Sequence, residues 1–245
     1  MLHTYWHTSR APRYSLLFAL PLLIMYQILA ALAPAPGGPG ALAVRNGADV
    51  ILQSIFIWVA GVWGPPLFML CIIAVGAWII AKDLRAHRGG LTPTVFGGML
   101  LESVALSLVF GVVVGALTFA LLGAPQPLAL GIAPQLGRWT LLMLSLGAGI
   151  YEELLFRVVL VGLLAWAAKK VLGWRPLVAG IVATVVGALI FSAFHYIGPY
   201  GDHFDVYSFV FRTIAGLFFS GLYLLRGFGI TAWTHALYDI LLLLR

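Results

Sequence analysis

The chain has 245 residues, is 62% hydrophobic and only 9% charged, and carries a formal net charge of +6. Soluble domains carry about 25% charged residues, so an ordinary soluble enzyme is excluded, and the apolar runs are too long and continuous for barrel strands. The basic residues sit at segment ends rather than in one patch, which points to membrane topology and away from nucleic acid as a partner.

The fold expected is all-α: a polytopic transmembrane helix bundle of six to seven spans, forming a single integral membrane domain over 1–245. Residues 14–32 are the first predicted span, preceded by Arg10 and Arg13. The segment before it, 3–13, is polar and basic, and the apolar run is long enough to remain as a helix, so no cleaved signal peptide is expected. His3 and His7 are expected in an exposed tail. Residues 34–40, rich in Pro and Gly, must form a loop. Residues 50–63 are apolar but short, and Gly64, Pro65 and Pro66 separate them from 67–81. Two readings are open there, an interfacial or re-entrant helix followed by a span, or one kinked span. The lone Cys71 excludes an internal disulfide and is expected as a small apolar core residue.

Lys82, Arg85 and Arg88 mark a cytoplasmic turn. Residues 94–122 form the next span, with Glu102 inside it and with Gly111 and Gly115 spaced for close helix packing. Residues 124–137, with three prolines, form a loop. The run 139–168 carries Glu152, Glu153 and Arg157, and Lys169, Lys170 and Arg175 form a second basic turn after it. Residues 177–196 end near His195, 198–205 form a polar loop, 207–225 are closed by Arg226, and 230–244 contain His235 and Asp239. The basic turns and the Arg10/Arg13 segment fall on one side of the bilayer, placing the N-terminus in the cytoplasm, with a bacterial inner membrane the expected location.

Charges at membrane depth cost roughly 2.5–3.5 kcal/mol each on insertion scales, so they persist where they face a protected interior with partners or chemistry to perform. Glu152 and Glu153 are consecutive and diverge by about 100° on a helix. Glu153 precedes Arg157 by four residues, the favourable order for a pair. That leaves Glu152 aimed into the bundle, although Arg157 can also reach back to Glu152. His195 follows Phe191 by four, and Asp239 follows His235 by four, close enough for the carboxylate to hold the imidazole in one tautomer. Each set alone has a structural explanation: an ion pair fixing helix packing, a hydrogen-bonded packing histidine, a self-satisfied His–Asp pair. All three together favour one shared site. A carboxylate and two imidazoles supply a base for water and donors for an oxyanion, and Glu152, His195 and His235 equally make a ligand set for a divalent metal such as zinc. No His-Glu-x-x-His is present, nor a Gly-x-Ser-x-Gly. An acidic dyad would need Glu102 or Asp239 opposite Glu152. Glu102 is expected to find a partner in Arg212 or a hydroxyl, Arg212 to pair with Asp205, and Asp202, His203 and Asp205 to lie in a solvated loop.

Glu152-Glu153-x-x-x-Arg157, Phe191-x-x-x-His195 and His235-x-x-x-Asp239, in this order on late helices, resemble the CPBP family of intramembrane endopeptidases, which includes the eukaryotic CAAX-processing protease and bacterial Abi-type proteins. The resemblance covers 139–244. It implies that Glu152 activates the attacking water, that Glu153 and Arg157 support it, and that His195 and His235 bind the water or the oxyanion. Asp239 stands where the family often has Asn, and an ionised Asp there orients His235 rather than donating to an oxyanion. The implied partners are the bilayer and a membrane-associated or C-terminal-signal peptide substrate, hydrolysed at a peptide bond. A proton-coupled transporter using the same Glu, His and Asp groups is the main alternative, although transporters usually show paired halves and these groups crowd into the second half. A non-catalytic scaffold for a partner helix is a third. For the three motifs to meet, tilted or interrupted helices are required, with 227–231 dipping into the membrane.

Overall fold

The computed structural model describes residues 2–32, 44–87, 90–123, 136–198 and 201–244. The expected loop at 34–40, all but the last two residues of that at 124–137, and Arg88 lie outside the described residues. Among those described the structure is helical without strands: α1 (Leu2–Arg10), α2 (Pro12–Leu32), α3 (Gly47–Ala60), α4 (Gly64–Ala86), α5 (Pro93–Leu122), α6 (Arg138–Gly147), α7 (Gly162–Lys170), α8 (Pro176–Phe194), α9 (Val206–Arg226) and α10 (Phe228–Leu243). Five helical stretches are long and apolar enough to cross a bilayer, one of them 47–86 taken as a whole, and the shorter α10 adds a sixth apolar helix. This is an integral membrane helix bundle.

Local chemistry sets the boundaries. Prolines at the first positions of α4, α5 and α8 start helices where a backbone donor is dispensable. The Asp205 carboxylate accepts from the Ser208 N–H at 2.7 Å and caps α9. Gly227, with φ +78°, makes the turn into α10. In the segment 227–231 one residue turns and the helix restarts at Phe228.

The stretch 47–86 is not one straight span. A short 3-10 turn, Gly61–Trp63, folds α3 back so that Phe56 lies 5.4 Å from Phe68. With 14 residues, α3 reaches about 21 Å, short of a ~30 Å hydrocarbon core, which favours the re-entrant or interfacial reading over the kinked span.

α10 is the centre of the bundle. Its Ala232 and Ala236 join one core with Leu22 and Tyr26 of α2, Phe68 of α4 and Met143 of α6, and its Ile230 joins another with Phe110 of α5 and Phe219 of α9. Two expectations fail at the periphery. Cys71 is exposed on the outer face of α4 rather than buried. Of the glycine pair on α5, Gly111 packs on the Tyr238 ring, whereas nothing lies within 4 Å of the Cβ position at Gly115.

The interruption needed to bring the motifs together lies between α6 and α7. Residues 148–152 and 154–161 form wide π-helical turns within one continuous helix. Such turns recur at functional sites because they re-aim side chains without ending the helix. Here Gly149 lies directly on the Ala232 carbonyl of α10, leaving no room for a side chain. This close approach brings the acidic pair against the central helix.

Candidate active site

Glu152 and Glu153 diverge as consecutive helical residues must, and each meets a different histidine. Glu153 is fully buried and carries two partners: Arg157 Nε lies 3.1 Å from its Oε2, and His235 Nδ1–H donates to its Oε1 at 2.7 Å. The expected local Glu153–Arg157 pair is therefore present, and it extends to α10. The tautomer of His235 is held by Glu153 rather than by Asp239, whose Oδ2 stands 3.8 Å from Nε2. Asp239 thus faces the nitrogen that Glu153 leaves free. This replaces the expectation that Asp239 alone orients the ring.

Glu152 is gripped on one side only. Asn46 Nδ2 donates to its Oε1 at 2.9 Å. The same amide caps α3 through its oxygen, accepting from Ala48 N–H at 2.9 Å, so the cap fixes which end of the amide faces the carboxylate. Oε2 of Glu152 has no hydrogen-bond partner and stands 4.0 Å from His195 Nε2. His195 donates through Nδ1 to the Phe191 carbonyl at 2.9 Å, which leaves Nε2 as its free nitrogen, turned toward Glu152.

Aromatic rings pack the floor. The Arg157 guanidinium lies over Phe191 at 4.4 Å and Phe219 at 5.5 Å, and Phe219 stacks on His235 at 4.4 Å. A cation over a ring face in a dry setting is favourable by about 2 kcal/mol. This offsets part of the cost of guanidinium nitrogens that lack hydrogen bonds. Phe191 sits edge-on to His195 at 5.0 Å, so these two share a face as their spacing implied.

All six residues singled out from the sequence belong to this cluster. Asn46 was not singled out, although a polar residue before Gly-Ala-Asp at the head of an apolar run is a helix-start signal. Behind it lies a polar network that was also missed. Asp49 is buried and accepts from Arg45 Nε (2.6 Å), Tyr26 OH (2.7 Å) and Gln53 Nε2 (2.6 Å). Gln27 accepts from Arg45 at 3.1 Å and donates to Tyr151 OH at 2.6 Å. The network ties α2 and α3 to the helix of the acidic pair, next to Glu152. Arg212 pairs with Asp202, not with Asp205, which caps α9. Glu102 pairs with Arg226 and Tyr5, not with Arg212, and so offers Glu152 no acidic partner.

As ligands for zinc these donors are not preassembled. Among the described residues no three His, Cys, Asp or Glu side chains converge as a metal requires. Glu152 Oε1 and His235 Nδ1 are committed to Asn46 and Glu153.

Residues 133–241 match the family model of Rce1-like proteins, the type II CAAX prenyl endopeptidases. That segment is similar to this family. The match spans the acidic pair, both histidines and Asp239, and the family it points to is one of membrane endopeptidases. No curated protein and no solved structure matches the chain.

Proposed function

We propose that the protein hydrolyses a peptide bond through a water molecule held between Glu152 and His195. The observation that carries this reading is the pairing of an unpartnered Glu152 Oε2 with the free His195 Nε2 at 4.0 Å. One water can bridge that gap with two hydrogen bonds of about 2.8 Å, donating a proton to each. Its lone pairs then face outward to attack a carbonyl. Glu152 takes the proton released on attack and returns it to the leaving amine. Asn46 keeps the carboxylate from rotating away.

His235 is the oxyanion donor. His235 serves as the imidazolium, with protons on both nitrogens: Glu153 accepts from Nδ1–H, Asp239 stands beside Nε2, and the Nε2–H donates to the charge developing on the carbonyl oxygen. Arg157 neutralises Glu153, so that Glu152 keeps the reactive charge. Asp239 tunes the Nε2 side of His235. No step runs through a metal. A zinc ion would be held by Glu152 Oε2, His195 Nε2 and His235 Nε2, the atoms that Asn46, Phe191 and Glu153 leave free, but these would first have to draw together, since they are not gathered around one point. The substrate is a membrane-associated or C-terminal segment, the enzyme lies in a bacterial inner membrane, and the N-terminus is cytoplasmic. Residues 1–245 act as one membrane domain, since the first half contributes Asn46 to a site otherwise built from the second.

The test is hydrolysis by purified protein of detergent-solubilised host membranes in ¹⁸O-labelled water, with new C-termini read by mass spectrometry. The reading predicts label in new C-termini for the wild type, none for E152Q, and no loss with a strong zinc chelator. New termini that persist in E152Q would remove Glu152 as the base. Loss of activity in chelator, restored by zinc, would replace the metal-free scheme.

A further inference from the structure

The basic turns gather at one end of the bundle, and His195 lies at the other. Three contacts define the basic end. Arg13 of α2 pairs with Asp83 of α4 at 3.5 Å, Arg10 donates to the Leu224 carbonyl of α9 at 3.2 Å, and Arg226 donates to the Trp6 carbonyl of α1 at 3.1 Å. The start of α2 and the ends of α4 and α9 therefore meet. α8 runs antiparallel to α9, since Ser192 Oγ donates to the Phe209 carbonyl at 2.7 Å and Gly216 packs on Ala188. The head of α8, with Arg175 and the preceding Lys169 and Lys170, therefore joins the same end.

His195 caps the opposite end of α8. The 19 residues of α8 cover about 28 Å, close to the ~30 Å hydrocarbon thickness. Beside it are the Asp202–Arg212 pair and the Asp205 cap. Exposure within the cluster points the same way. His195 and Asp239 keep 25% and 29% of their side chains accessible, against 0% for Glu153 and 2% for Arg157. The more accessible rim is on the His195 side, and the buried Glu153–Arg157 pair lies toward the basic end.

Basic residues concentrated at one end of a bundle mark the cytoplasmic side. We propose that the active site opens on the extracytoplasmic face of the membrane. Its substrates are then membrane-anchored polypeptides whose scissile bond lies at the extracytoplasmic surface or in that leaflet, not segments presented from the cytoplasm. This rests on the protease reading above for the word substrate, but the side of the mouth is measurable without catalysis.

The experiment uses full-length protein in intact cells, in a C71A background, with single cysteines at H195C, H203C and K170C. His203 and Lys170 are exposed, so these two variants report the two ends without disturbing the site. The probe is a membrane-impermeant maleimide added outside, then again after permeabilisation. H195C and H203C are expected to label from outside, and K170C only after permeabilisation. The reverse pattern, or H195C that labels from neither side while H203C and K170C label, overturns the proposal. None of these outcomes bears on whether Glu152 is the base. Retained hydrolysis in E152Q would sink the base assignment and leave the labelling result standing.

Discussion

Two of the buried charge clusters in this bundle are built to different standards. At the basic end, Arg226 is 2% exposed and every nitrogen is engaged: Nε and Nη2 with Glu102 at 2.5 and 2.7 Å, Nη2 also with Ser9 at 2.7 Å, and Nη1 with the Trp6 carbonyl at 3.1 Å. Its guanidinium also stacks on Trp6 at 4.0 Å. Around Glu152, Glu153 and Arg157, by contrast, carboxylate oxygens and guanidinium nitrogens lack hydrogen bonds. Buried polar groups in native proteins are nearly all satisfied. A saturated cluster holds helices together, whereas unpartnered atoms leave positions that a bound water or substrate can satisfy. The first clamps α1, α5 and α9; the second is where, on the proposed mechanism, water and substrate complete the set.

The contrast breaks most sharply at Glu152. E152Q keeps the shape and the Asn46 contact but removes the base, and turnover is expected to fall about 10³-fold or more with the melting temperature unchanged or raised. H235A removes the proposed oxyanion donor and should lower turnover by about 10²–10³-fold, measured on the same membrane substrate. At the saturated cluster the effect should appear in stability instead. E102Q leaves the Arg226 charge buried and unpaired, and is expected to cost about 3–5 kcal/mol in denaturant unfolding, while folded molecules retain turnover. A large loss of turnover in folded E102Q protein would erase the distinction between the two clusters. N46A should be the mildest. It removes a helix cap worth about 1 kcal/mol and frees Glu152 to rotate, and turnover is expected to drop roughly tenfold with KM little changed.

Much of the candidate site was legible in the sequence because membrane burial makes each ionisable residue conspicuous. Glu152, Glu153, Arg157, His195, His235 and Asp239 interrupt runs of Leu, Val, Ala and Gly, and their four-residue spacings survive in the helices. What spacing could not carry was pairing across helices. His235 has both Asp239 on its own helix and Glu153 on another within reach, and only the packing of Gly149 on Ala232 puts Glu153 on Nδ1. The π turns were illegible for a related reason, since their cause is a contact with α10 rather than a local breaker. Asn46 was passed over because its role depends on a partner 106 positions away. The Arg226–Glu102 pair joins residues 124 apart, and sequence order gave no reason to prefer it over Arg212.

The most direct test of the central claim is an experimental density map of the wild-type protein fine enough to show ordered water at the Glu152–His195 gap. The account predicts one ordered water within about 2.8 Å of both Glu152 Oε2 and His195 Nε2, with His235 Nδ1 still on Glu153. A direct Glu152–His195 contact that closes the gap, or a metal ion at about 2.0–2.1 Å from His195 Nε2, would contradict it.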